Sequence, residues 1–146
     1  MVKNVLGLLD FSEVTENVVK QSGELAGVYG AKCWLIHVAA PDPEFVGYDV
    51  GPQYVRDARA EALREEHQTL AKYKEQLKGQ GVNCDALLIQ GHVNESILAE
   101  IAKLNIDMVV VGSHGRSGLY EILIGSVTQF MLKNASIPVL IVSSKD

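Results

Sequence analysis

Basic residues are in short supply: 13 Lys and Arg stand against 18 Asp and Glu, for a net charge of -5. Clustered cations supply most of the affinity for a nucleic-acid backbone, so this balance argues against a nucleic-acid groove and leaves room only for a local basic contact. Long apolar runs are missing too. None approaches the ~20 residues needed to cross a bilayer, and the N-terminus enters a strand-like run without a basic leader, so a cytoplasmic protein with no membrane span is expected. Cysteine is limited to Cys33 and Cys84, each in an apolar stretch where a free thiol packs as a small hydrophobe; no disulfide framework is expected. Four scattered His and two distant Cys give no metal-ligand spacing, which argues against a structural zinc site. Proline is scarce and clustered: Pro41, Pro43 and Pro52 bound one aperiodic stretch that reads as a long loop over a strand end.

What is present is an alternation of two periodicities. Residues 2–9 are an almost unbroken apolar run closed by Asp10, the pattern of a strand buried on both faces. Ser12 then stands where a helix cap is wanted, with Val14, Val18, Leu25 and Val28 as an apolar stripe ending at Gly30. A second strand follows over 33–39. A long charged helix is expected over 53–78, with Val55, Ala62, Leu70, Tyr73 and Leu77 inward and Gly79 and Gly81 as stops. Residues 82–90 read as a third strand, and 94–104 as a helix capped by Asn94 with Ile97, Ile101 and Leu104 inward. A fourth strand is expected over 107–111, a fourth helix over 126–133 and a fifth strand over 137–142. Parallel strands require such helical crossovers, so the expected fold class is α/β, a doubly wound, five-stranded parallel sheet with four helices. One domain spanning 1–146 is expected, since a chain of this length holds one core. Ligands in this class sit beyond the carboxyl ends of the strands, which directs attention to Asp10, to residues 38–40 and to the segment from Gly112.

That last segment reads Gly-Ser-His-Gly-Arg-Ser-Gly from Gly112, then an apolar stretch, then Gly125-Ser126-Val127-Thr128 opening a helix. Glycines let backbone amides approach an anion closely, and a helix start adds unpaired donors, a positive dipole end and, here, the hydroxyls of Ser126 and Thr128. The same glycines would also serve simple tight turns. The Walker ending Gly-Lys-Ser/Thr is absent, and no Gly-x-Gly-x-x-Gly follows the first strand.

Gly112, Gly115, Gly125 and Ser126 form Gly-x2-Gly-x9-Gly-Ser, which resembles the ATP-binding signature of the universal stress protein family. Asp10-Phe11-Ser12, His37-Val38, Gly91 and Ile137-Pro138-Val139 resemble the family in the same order along the whole chain. His92-Val93 after Gly91 depart from it, since members often carry a proline nearby. The resemblance implies an adenine nucleotide alpha hydrolase-like, Rossmann-like sheet that binds ATP in a cleft and forms a homodimer through the last strand, from Ile137 to Val142. Carried over by position, Asp10 and the backbone of Val38 would contact the adenosine part. Gly112, Gly115, Gly125, Ser126, Val127 and Thr128 would hold ribose and phosphates.

Taken singly, Asp10 also reads as a polar strand terminus. His114 and Arg116 lie inside the glycine loop, and Arg116 is the candidate for a charge-assisted bond to the terminal phosphate. His37 is expected to pack in or near the sheet and His67 to face solvent. Mg2+ is expected to accompany ATP, with AMP or ADP as alternative ligands, because a multivalent phosphate needs neutralising where cations are few.

Two functions compete. One is a regulatory nucleotide-sensing module in a stress response, whose bound state an unidentified partner protein reads. The other is a slow ATPase or phosphotransferase, for which Glu121 and His114 are the nearby candidate bases and neither has an evident orienting group. A phospho-acceptor receiver domain fits poorly, because the third strand ends in Gln90-Gly91 where an acceptor Asp is required.

Overall fold

The computed structural model describes residues 1–39, 53–113 and 126–143. Its strands are β1 (Asn4–Leu8), β2 (Lys32–Ala39), β3 (Cys84–Gln90), β4 (Met108–Gly112) and β5 (Val139–Val142). Its helices are α1 (Thr15–Tyr29), α2 (Gln53–Gly79), α3 (Val93–Lys103) and α4 (Ser126–Asn134). The sheet runs β3-β2-β1-β4-β5 with every pairing parallel. The chain winds outward from β1 through β2 to β3, then returns to the other side of β1 for β4 and β5. The order therefore reverses between β1 and β4, the point at which sheets of this class open a crevice at the carboxyl ends of their strands.

Alternate residues of each strand feed opposite cores. Val5, Cys33, Leu35 and Val110 join Val18, Val19, Ala26, Leu70 and Leu77 beneath α1 and α2. Leu6, Ile36, Val109 and Val111 join Ile97, Ile106 and Met131 beneath α3 and α4. The period of two in the strands and burial on both faces are what the apolar runs require. Cys33 and Cys84 are register partners across β2 and β3, both buried and both free thiols.

Several local expectations need correction. Ser12 does not cap α1: the helix begins at Thr15 with Val14 in the capping position and no side-chain cap, and Ser12 instead lends its carbonyl to the Thr15 N–H. Val28 is 81% exposed, because it lies two residues from the buried Ala26 and so about 200° round the helix. The buried face of α1 is made of Val18, Val19, Ser22, Gly23 and Ala26. Asn94 sits inside the first turn of α3, since His92 occupies the cap in an extended conformation and its carbonyl accepts the Ser96 N–H. β3 begins at Cys84 and not at Val82, whose N–H closes the end of α2 by donating to the Leu77 carbonyl. Gly81, at φ 85°, makes that reversal possible. β5 starts at Val139, although the Pro138 carbonyl already accepts the Val109 N–H. The long loop expected between Pro41 and Pro52 lies outside the described residues, as does the side chain of Val55. His67 is exposed, as expected.

Asp107 ties the amino end of β1 to the start of β4. Its carboxylate accepts the N–H groups of Lys3 and Asn4 at 2.8 and 3.0 Å. These donors, Lys3 foremost, hold its carboxyl below the usual carboxylate range. A depressed folded value adds stability above the unfolded pKa of about 4, and that stability is lost as pH falls through the folded value. Asp107→Asn should therefore be less stable than the parent at pH 7, and the gap should narrow towards pH 3 in urea unfolding. A gap independent of pH would show that the charge of Asp107 is not involved.

Candidate functional site

The carboxyl end of β1 continues into a turn built on its own side chains. Asp10 Oδ1 accepts the Ser12 N–H at 3.0 Å, the geometry by which an Asp closes a turn two residues on, and the Thr15 hydroxyl lies 3.5 Å from the same oxygen. Between them Phe11 takes φ 59°. A bulky residue pays about 1 to 2 kcal/mol for that left-handed conformation, so the surroundings must hold it. His37, only 6% exposed on β2, stacks on the Phe11 ring at 4.2 Å between centroids. The ring nitrogen Nδ1 of His37 donates to the Leu9 carbonyl at 2.7 Å. That carbonyl can only accept, so Nδ1 carries the proton. The Ser12 hydroxyl oxygen is buried with no hydrogen-bond partner.

β4 ends beside this turn. A Cβ added at Gly112 would collide with Val14 Cγ1, and Val14 is 2% exposed and stiff at χ1. Gly112 is thus required by the packing of the α1 start against β4, quite apart from any ligand. Thr128, 3% exposed in the first turn of α4, donates its hydroxyl to the Gly112 carbonyl at 2.7 Å. One bond therefore fastens the two ends of the glycine-rich segment together. It also commits the Thr128 hydroxyl proton, leaving the amino end of α4 to offer backbone N–H groups and its dipole.

Of the residues singled out in the sequence, Asp10, Val38, Gly112, Val127 and Thr128 all lie at the carboxyl ends of β1, β2 and β4 or on the first turn of α4. Val38 packs on the α3 and α4 side, as does Val127. Gly115, Arg116 and Gly125 lie outside the described residues, as do His114, Glu121 and the side chain of Ser126. Phe11 was named only within Asp10-Phe11-Ser12 and Val14 only in the apolar stripe of the first helix, neither as a site residue, and Glu66 was not named. Glu66 approaches His37 Nε2 at 3.5 Å from mid-α2, and nothing in its local sequence separates it from the charged residues around it. Among the described residues no group of three or more His, Cys, Asp or Glu is placed to hold a metal. No helix among them is long and apolar enough to cross a membrane.

An open parallel α/β sheet whose order reverses beside a glycine strand end defines the chain as an α/β domain of the doubly wound class. It belongs to the Universal stress protein family, which it matches over residues 1–143. It is 31% identical over 143 residues to universal stress protein MJ0531 of Methanocaldococcus jannaschii, covering 97% of this chain and 82% of that one. Among solved structures it is similar to the hypothetical protein MJ0577, with a TM-score of 0.84 and 27% identity over 100% of this chain and 99% of that one. It also shares the fold of a universal stress protein family member of Arabidopsis thaliana solved with AMP bound. There the TM-score is 0.67 at 22% identity, covering 97% of this chain and 91% of that one.

The Gly112 contact yields a test independent of ligand. Gly112→Ala should destabilise the protein by about 1 to 3 kcal/mol through overpacking. Combined with Val14→Ala it should cost less than the sum of the two single changes by on the order of 1 kcal/mol, since the added methyl then has room. Simple additivity in denaturant unfolding would show that the two residues do not compete for space.

Proposed function

We propose that this protein is a regulatory adenine-nucleotide-binding module, a single domain over 1–146 that takes ATP, with AMP or ADP as alternatives, across the carboxyl ends of β1, β2 and β4. The observation that carries this reading is that Asp10 and Gly112 stand at the carboxyl ends of the adjacent strands β1 and β4, where strand order reverses, with the first turn of α4 fastened to Gly112 by Thr128. The residues suit such a ligand. A carboxylate at Asp10 can accept ribose hydroxyl protons, the backbone at Val38 can meet the base, and the buried Ser12 hydroxyl lacks a partner. Gly112, Gly115, Gly125, Ser126, Val127 and Thr128 offer a backbone-rich cradle for ribose and phosphates, and Arg116 a cation for the last phosphate. Mg2+ would be held mainly by phosphate oxygens and water, as this cation usually is, and would neutralise phosphate charge. AMP in the Arabidopsis relative supports the choice of an adenine nucleotide. We place the protein in the cytoplasm, where the bound state would be read in a stress response by a partner protein that responds to the ligand-dependent surface.

A homodimer through the last strand belongs to the same reading. Among the described residues β5 is an edge strand that pairs with β4 alone, and its Leu140 and Ile141 are 37% and 39% exposed. The opposite edge, β3, is guarded: Asp85 pairs with Lys32 at 2.7 Å and Lys74 at 3.4 Å. An apolar, unguarded edge favours pairing with its own copy.

The nucleotide reading is tested by a thermal melt with and without Mg-ATP, repeated with AMP. Ligand at 100 times Kd adds about 2.7 kcal/mol, which should raise the midpoint by on the order of 5 to 10 °C for a chain of this size. Gly125→Val should remain folded and lose the shift; absence of a shift with every adenine nucleotide in the parent would sink the proposal. For the dimer, sedimentation at micromolar concentration should give twice the chain mass, and Leu140→Lys with Ile141→Lys should give the monomer. A monomeric parent would remove β5 as an interface.

A further inference from the structure

We propose that His37 is a positioning residue for the nucleotide site: it fixes the turn that carries Asp10 and ties that turn to helix α2 through Glu66. This rests on the nucleotide reading given above but concerns a residue that the reading does not place against ligand. Three contacts radiate from one ring. Nδ1 donates to the Leu9 carbonyl at 2.7 Å, one residue beyond Leu8, the last β1 residue in register with β2. The imidazole thus extends the pairing of β1 with β2 into the turn. The ring face stacks on Phe11, the residue held at φ 59° between Asp10 and Ser12. On its far side Nε2 lies 3.5 Å from Glu66 Oε2, a buried carboxylate oxygen that makes no hydrogen bond.

The chemistry explains why a histidine stands here. Only an aromatic ring with two in-plane nitrogens can stack on Phe11 while one edge holds a β1 carbonyl and the other faces a carboxylate from α2. The Leu9 N–H already donates to the Ile36 carbonyl at 2.9 Å, and the turn has short-range bonds of Asp10 to Ser12 and Thr15; His37 adds the tie on the Leu9 carbonyl, the group that leads directly into Asp10. With the Leu9 bond in place, the backbone at Asp10 is set before ligand arrives, and ordering it costs the ligand nothing. The link to Glu66 makes the coupling two-way: whatever moves mid-α2 changes the ring, and whatever orders the turn restrains α2.

Two amide substitutions separate the two nitrogens. In His37→Asn the side-chain amide falls at the position of Nδ1 and can still donate to Leu9, but is too short for Glu66. In His37→Gln it reaches towards Glu66 and abandons Leu9. Both lose the ring, so they differ in which partner the amide keeps, Leu9 in His37→Asn and Glu66 in His37→Gln, and Glu66→Gln isolates the second contact. AMP affinity by calorimetry, measured where all variants are folded, should fall roughly tenfold further in His37→Gln than in His37→Asn. Amide exchange at Ser12, whose N–H is bonded to Asp10, should quicken in His37→Gln and stay near the parent rate in His37→Asn. Exchange along α2 around Glu66 should show the reverse order, with Glu66→Gln behaving as His37→Asn does. Equal AMP affinity in the two His37 variants, together with equal Ser12 exchange, would overturn the positioning role. If the parent binds no adenine nucleotide, the nucleotide reading fails by itself, and the exchange pattern still decides whether His37 braces the turn.

Discussion

β1 hydrogen-bonds to a parallel strand on each side, and the rest of the molecule is arranged by that circumstance. Val5 and Leu6 are fully buried, so neither their backbone groups nor their side chains can turn to water. Both ladders must be filled, by β2 on one flank and β4 on the other. The chain leaves β1 on one side for β2 and β3, and only then crosses from β3 to the other side of β1 for β4 and β5. The crevice between the ends of β1 and β4 follows from this order of filling and needs no special sequence of its own. At the other end of the strands, Asp107 closes the gap between the same two strands by accepting the N–H groups of Lys3 and Asn4 at the entry to β1. The central strand is therefore anchored below by a carboxylate and left open above, where Asp10 and Gly112 emerge.

Close approach governs the open end. Val14 occupies the space a side chain at Gly112 would need, and Ser22 and Gly23 allow α1 to lie near β1 and α2. The small residues on the inner face of α1 thus determine how near the helix start comes to β4. Thr128 then fixes α4 to the same point. A glycine whose sequence context suggests only a ligand is equally a packing residue. The two roles reinforce one another, because the helix that fills its missing side chain also holds the strand end still.

The alternation of strands and helices was legible because burial on both faces leaves nearly continuous apolar runs, while in the long charged α2 only Leu70 and Leu77 are buried among the described side chains. The starts of α2 at Gln53 and α4 at Ser126 were legible, but the caps of α1 and α3 were not. Ser12 and Asn94 carry the side chains that favour caps, yet at each start the backbone satisfied the donors by other means, through the Ser12 carbonyl before α1 and the His92 carbonyl before α3. Val28 misled because an apolar residue on a helix was counted without its angle, and the buried face was marked instead by Ser22, Gly23 and Ala26, residues with little apolar signal. At the site, Asp10 and Gly112 were visible as strand-end residues. The ties of His37 to Leu9, Phe11 and Glu66 were not, since they join residues 26 to 29 positions apart and no local pattern encodes such a meeting.

The charge balance fits a site made of backbone. With a net charge of -5, the chain has no general attraction for a polyanion, and the interaction of separated charges falls to a few tenths of a kcal/mol by about 10 Å in water. A phosphate held here must be stabilised at contact range by oriented N–H groups, whose dipoles are fixed by the α4 start and do not depend on net charge. Such a cradle works only if its donors are held in place before the anion arrives. The bond from Thr128 to Gly112 secures one side of the crevice and the bond from His37 to Leu9 the other, so the two flanks of the reversal are braced by side chains that need never touch the ligand. Under the proposed nucleotide reading, rigidity at the strand ends offsets the small number of lysines and arginines.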